Sequence, residues 1–334
     1  MSSWFGCVYP RGDGPGAGHD VELSLDPSES TETLTQKLSS SGLVASPRLF
    51  ALYVRLLGGA EHVASGRHLV TDDVSPRELL ARLERRGARV RVTFPEGWTR
   101  FDMARRLQEK HVCSWRGFLD ATTAPALLRE LRIEGDSAEG FLFPATYDLA
   151  LNSDGADVVR RMKTEFDHRY ATLVERHASG LLDLQQSLGW GTRQVLTLAS
   201  VVEKEAAVDE ERPLVASVFL NRLRDVEFKP KLLQSDPTSA YGCLVMPDRI
   251  PSCASFTGKI TPALNQDGAN PYSTYRHEGL PPGPIANPGQ KSIDAVLAPA
   301  RSRFLYFVAR GEGRHVFSET YSAHSAAIPL RGGK

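Results

Sequence analysis

The chain has 334 residues, 41% of them hydrophobic and 24% charged, the composition of a folded protein long enough for two or three compact units. Forty Lys and Arg balance forty Asp and Glu, which excludes the basic excess of a nucleic-acid binder and leaves an uncharged polymer open as a partner. Cys7, Cys113, Cys243 and Cys253 form no Cys-x-x-Cys pair and the nine histidines are scattered, so no metal and no cofactor are expected.

In chain order, residues 1–20 are Gly-rich and read as a flexible tail. Residues 21–25 alternate apolar and polar, a strand signal. Ser30 or Thr31 can cap a helix carrying Leu34 and Leu38, and a second helix follows Pro47 with Leu49, Phe50, Tyr53 and Leu56 on one side. Residues 68–71 read as a returning strand, and Ser75-Pro76 opens a helix through Leu79, Leu80 and Leu83. The plan then repeats: a strand at 90–94, a turn at 95–98, a helix capped by Thr99 with Met103 and Leu107, and a strand at 145–149. Leu34, Leu38, Leu43, Leu49 and Phe50 align without gaps on Met103, Leu107, Val112, Phe118 and Leu119. This suggests two diverged copies of one strand–helix–helix–strand unit.

Residues 156–188 are helical in pattern, 192–208 form a further helix, and another runs from Pro213 to Arg224. Residues 226–300 are rich in Pro, Gly, Ser, Asn and Tyr and read as a long loop-rich insertion, a kind of segment that is often functional. Within it, Cys243 and Cys253 could be a small disulfide loop or two free thiols. Two strands, 304–309 and 315–318, are joined by a Gly-containing turn. No segment approaches the ~20 apolar residues that span a bilayer. No signal peptide is visible, and by themselves these features point to the cytoplasm.

The helix at 192–208 carries the candidate chemistry. Val195, Leu198, Ala199, Val202 and Ala206 make an apolar stripe, and Glu203 lies at its edge. A carboxyl so placed is poorly solvated, and its pKa is expected above the ~4.3 of a free Glu, as a general acid requires. Glu205 lies about 200° around the helix from it, so the two cannot serve one centre from the same wall; Glu205 reads as a supporting residue. The segments 219–224, 233–242 (which includes Tyr241) and 270–289 are dense in amides, hydroxyls and tyrosines on stiff Pro/Gly backbone. Such groups suit sugar recognition, and equally suit surface turns.

Residues 94–99 (FPEGWT), 139–147 (EGFLFPATY), 198–205 (LASVVEKE), 234–238 (QSDPT) and 279–289 (GLPPGPIANPG) resemble, in order, the signature blocks of the MltG (YceG-like) family of endolytic murein transglycosylases. The resemblance covers about residues 21 to 326. It implies an α+β fold, with a LysM-like βααβ subdomain at 21–90 and a YceG-like catalytic domain at 91–334. It implies Glu203 as the catalytic glutamate and a glycan groove lined by Gln234, Asp236, Thr238, Tyr272, Thr274 and Tyr275. The substrate would be peptidoglycan glycan strands, cut between N-acetylmuramic acid and N-acetylglucosamine to leave 1,6-anhydro ends. Asn221 or Gln234 could orient the 2-acetamido group. One acid in two roles suffices for that chemistry; a muramidase-type hydrolase would need a second carboxyl, for which Asp236 is the candidate. A non-enzymatic peptidoglycan-binding scaffold is the third reading. The resemblance further implies peptidoglycan synthases as partners and the periplasmic face of the inner membrane as location. Family members carry an N-terminal membrane helix that this sequence does not show, and residues 1–20 would be a remnant of the anchor region.

Overall fold

The computed structural model describes residues 19–25, 30–56, 60, 63, 66–84, 89–151 and 153–328. The expected tail at 1–20 therefore falls almost wholly outside the described residues. The chain divides into two compact units. One comprises the chain up to Val92 with Ala104–Phe118 and Thr146–Val158; the other comprises Thr93–Met103, Leu119–Ala145 and the chain from Val159 onward. The chain thus returns twice to the first unit after the expected boundary at residue 90.

The first unit begins with a β–α–α–β succession: β1 (Asp20–Leu25), α1 (Thr31–Ser40), α2 (Pro47–Leu56) and β2 (Gly66–Thr71), followed by α3 (Pro76–Glu84). β1 and β2 are antiparallel, with Val21 opposite Val70 and Leu23 opposite His68. Ser30 caps α1 by accepting the Thr33 N–H. Leu23, Leu25, Leu34, Leu38, Phe50, Val54, Val70, Leu79 and Leu83 share one core. Each such fully buried side chain contributes about 1.5–3 kcal/mol.

The second succession is β3 (Arg89–Thr93), α4 (Arg100–Glu109), α5 (Trp115–Thr123), a short α6 (Pro125–Glu130) absent from the sequence reading, and β4 (Thr146–Ala150), which pairs with β3. Its turns match those of the first. Leu43 and Val112 each donate back to a buried leucine carbonyl, Leu38 and Leu107, at 3.0 and 2.9 Å. The residue before each takes a positive φ, Gly42 at 74° and His111 at 55°. Past that point the ungapped alignment is off by one. Ser46 and Ser114 begin the second helices and accept from Phe50 and Phe118. Phe50 therefore corresponds to Phe118, both fully buried, whereas Leu49 is exposed. Apolar spacing alone tolerates such a slip; the cap fixes it.

In the second unit come α7 (Gly155–Arg176), α8 (Ala178–Leu188), α9 (Thr192–Glu205), α10 (Arg212–Arg224), α11 (Asp236–Val245), α12 (Pro262–Asn265), α13 (Gln290–Leu297), the antiparallel hairpin β5 (Tyr306–Gly311) and β6 (Arg314–Ser318), and α14 (Tyr321–Ala327). α9, α10 and α13 pack on one another. α9 is buried on nearly every side from Val195 to Val202, so the expected stripe is part of a central helix. The segment at 226–300 is less irregular than its composition suggests. Asp236-Pro-Thr, which reads as a turn, opens the ten-residue α11, because Pro237 sits in the first turn where its missing N–H is harmless. Cys243 and Cys253 are disulfide-bonded, with Cα atoms 5.3 Å apart, which resolves the open pair. Among the described residues no helix is long and apolar enough to cross a membrane.

Candidate active site

Both glutamates leave the last turn of α9 on different sides, as their spacing requires. Their surroundings are the reverse of expectation. Glu203 is 6% exposed and faces donors rather than apolar side chains. Arg212 lies 3.1 Å from Oε1; the Gly289 N–H and the Ser292 hydroxyl donate to Oε2 at 3.0 and 2.7 Å. Arg212 is itself fixed by Asp209 at 3.0 Å and Ser292 at 2.7 Å. The Glu96 carboxyl packs on the backbone of Gly289 so closely that a Cβ there would fall 1.9 Å from its Cδ. Burial, and then the charge of Glu203, push the Glu96 pKa upward. The donors around Glu203 occupy both of its carboxyl oxygens.

Beneath this node lies a second buried carboxyl. Glu139 accepts from the Arg100 N–H, the Tyr241 hydroxyl at 2.9 Å and Asn287 Nδ2 at 2.6 Å. Burial raises its pKa to about 7. Asn287 also accepts from the Gly140 and Leu142 N–H groups through Oδ1 and donates to the Trp98 carbonyl. Gly140 has φ 85°, and a Cβ there would strike Pro284 at 2.5 Å. The blocks at 94–99, 139–147, 198–205 and 279–289 thus meet around Glu139, Asn287 and Glu203, as struts of one another.

Glu205 opens on the other side, into a cleft of about 450 Å³. Gln234, Asp236 and Tyr275 line this cleft with Arg222, the β5 residues 307–309, His315, and Tyr321 and His324 of α14. The Ser235 hydroxyl donates to Glu205 Oε1 at 2.6 Å. Burial raises the Glu205 pKa, the Ser235 bond opposes that, and the neighbouring Asp236 charge adds to it. Tyr275 donates its hydroxyl to Asp236 Oδ1 at 2.6 Å, and Asn265 donates to the same oxygen at 2.7 Å. Gln234, exposed with φ 56°, projects from a left-handed kink fixed by its N–H to the Thr274 carbonyl. A carboxyl whose pKa burial raises, beside an amide, a second carboxyl and a phenol, has the surroundings of a proton donor to a bound ether oxygen.

The remaining expected groove residues stand elsewhere. Thr238 and Thr274 are buried and bond each other and the Ser235 backbone, shaping the turn beneath the cleft. Tyr241 is spent on Glu139, with Tyr272 packed edge-on against its ring at 5.1 Å. Asn221 donates to the Ser302 and Phe304 carbonyls and so anchors the approach to β5. Thr238, Thr274 and Asn221 thus satisfy backbone groups and Tyr241 a buried carboxyl. The sequence reading passed over Ser235, Arg222, His315 and α14. Arg222 donates to the Leu305 and Leu233 carbonyls at 2.6 Å each, pinning two cleft walls. Its signal in the sequence is an arginine at the end of the apolar run of α10. Among the described residues no His/Cys/Asp/Glu group could hold a metal ion.

An endolytic murein transglycosylase of Bacillus subtilis (strain 168) is 27% identical over 329 residues, covering 92% of this chain and 83% of that protein. That of Streptococcus pneumoniae serotype 2 (strain D39 / NCTC 7466) is 26% identical over 341 residues and covers 92% of this chain. The match takes in 58% of the pneumococcal protein, so this chain spans a little over half its length. A crystal structure from Listeria monocytogenes, described as a yceG-like protein, superposes with a TM-score of 0.57 at 24% identity, over 93% of this chain and 99% of that one; this likeness concerns the fold. The profile of the YceG-like family matches residues 23–329, nearly the whole length, and the chain belongs to that family.

Proposed function

We propose that this protein is a peptidoglycan lytic transglycosylase that cuts glycan strands internally, with Glu205 as its acid. Support for the reaction class comes from the relatives that carry the name endolytic murein transglycosylase. The observation that carries the residue is the cleft: Glu205 lines it, and Glu203 does not. In this reading Glu205 protonates the glycosidic oxygen between N-acetylmuramic acid and N-acetylglucosamine. Its carboxylate then draws the proton from the muramoyl 6-hydroxyl as that oxygen closes on the anomeric carbon, giving a 1,6-anhydro end. The exposed Gln234 is placed to orient the acetamido group. Asp236 already accepts from Tyr275 and Asn265, which favours a fixed wall over a second reacting carboxyl and the transglycosylase over a hydrolase.

We further read the β1–α1–α2–β2 succession as LysM-like and the location as the outer side of the cytoplasmic membrane. The Cys243–Cys253 disulfide supports an oxidising compartment. Association with peptidoglycan synthases and with the membrane remains part of the proposal. Digestion of purified sacculi followed by mass spectrometry tests the reaction. Anhydro ends are expected; reducing ends would mean a hydrolase, and undigested sacculi a scaffold. Glu205→Gln should abolish the release, and a fully active Glu205→Gln protein would sink the assignment.

A further inference from the structure

A buried Glu–His pair stands behind the cleft. Glu211, ahead of α10, accepts twice from one residue: the His315 backbone N–H reaches Oε1 at 3.2 Å, and ring Nδ1 lies 2.7 Å from Oε2. Both side chains are only 10% exposed. The imidazole is wedged edge-on against Phe307, centroids 5.2 Å apart and planes at 86°. A carboxylate at Nδ1 keeps a proton on that nitrogen and leaves the lone pair on Nε2. Among the described residues nothing hydrogen-bonds Nε2, and His315 forms part of the wall that holds Glu205. A histidine that only packed would need neither a buried carboxylate nor a fixed tautomer.

We propose that His315 is a second catalytic residue, whose Nε2 accepts the proton of the attacking sugar hydroxyl, with Glu211 as the positioning residue that holds the ring. This rests on the reading of the cleft given above and reassigns one proton in it. Glu205 gives its proton to the glycosidic oxygen as the anomeric C–O bond breaks. The muramoyl O6 bonds to the anomeric carbon, and its proton passes to Nε2. One proton then moves from Nε2–H to the Glu205 carboxylate, restoring both groups without any co-reactant. The ionisable groups that line the cleft with the ring are Glu205, Arg222, Asp236, Tyr275, Tyr321 and His324, and Glu211 holds its Nδ1 side.

The test uses the full chain on purified sacculi. His315→Gln removes the ring and its Nε2 lone pair and leaves the backbone N–H to Glu211 in place. Its melting temperature should stay within about 3 °C of the parent. Its kcat should fall about 100-fold with KM within about twofold, and the acid limb of the kcat–pH profile should disappear. Glu211→Gln should lose about tenfold. Added imidazole should restore part of the kcat of His315→Ala. A His315→Gln protein with kcat within about twofold of the parent and an unchanged pH profile overturns the proposal. If His315→Gln melts early, the imidazole arm decides, and no rescue counts against it. Glu205→Gln runs alongside: an active protein there overturns the reading of the cleft, whereas an inactive one beside an unaffected His315→Gln overturns only the role of His315.

Discussion

Glu203 and Glu205 leave the same turn of α9 and enter opposite kinds of surroundings. Around Glu203, an arginine, a backbone N–H and a hydroxyl converge on one carboxylate, and Gly289 closes over it. Around Glu205, one hydroxyl donates, burial favours the neutral acid, and the remaining side opens on a polar cleft. The first arrangement holds four segments of the second unit together; the second can exchange a proton with something that enters. Burial by itself therefore does not separate the two residues; the number of donors and the open cleft do, and they underlie the proposal of Glu205 as the acid.

The largest effect should separate the two residues by activity. Glu205→Gln is expected to lose on the order of 1,000-fold or more in kcat on sacculi while its urea midpoint stays close to that of the parent. Glu203→Gln should show the converse. It removes one of the two carboxylates paired with the buried Arg212 and should cost about 3 kcal/mol in urea unfolding, with the surviving folded protein still active. A Glu203→Gln protein that is fully stable and inactive would return the role of acid to Glu203. Next comes the small core that follows α11. Loss of the Cys243–Cys253 bridge in a Cys243→Ala, Cys253→Ala protein opens a loop of sequence separation 10 and should lower stability by about 2–3 kcal/mol. The smallest effect concerns pH. Because the folded-state pKa of Glu205 is raised, its contribution to stability is present below the ordinary glutamate pKa and is lost as pH rises through the raised value. Glu205→Gln should lack that decline, so its stability relative to the parent should grow with pH across this window. The alkaline limb of parental activity should lie above the ordinary carboxylate range for the same reason. A difference that stays flat with pH would show that burial does not tune this acid.

Much of the fold was legible because it follows from local rules. Ser30 and Thr99 cap helices as their positions suggest, and the apolar spacing found α1, α2 and α9. The slip between Leu49 and Phe118 shows the limit of spacing, since only the cap hydrogen bonds of Ser46 and Ser114 set the register. At the site, Gln234, Asp236 and Tyr275, which the resemblance groups, line one cleft. The resemblance also implies Thr238 and Thr274, while Tyr241 and Asn221 enter as hydrogen-bonding side chains of the polar segments. Which polar groups are consumed by buried backbone or a buried carboxyl depends on residues up to about a hundred positions away, as in the bond from Tyr241 to Glu139.

By itself, the sequence determined that this is a mixed α+β chain of the YceG-like family, with one glutamate-bearing helix at its centre. Those conclusions rest on periodicity, caps and ordered motifs, all local along the chain. Only the tertiary structure shows which glutamate lines the cleft. The choice turns on Arg212, Gly289 and Ser292 arriving at one face of α9 and leaving the other to the cleft, and no spacing within residues 198–205 encodes where those partners fold.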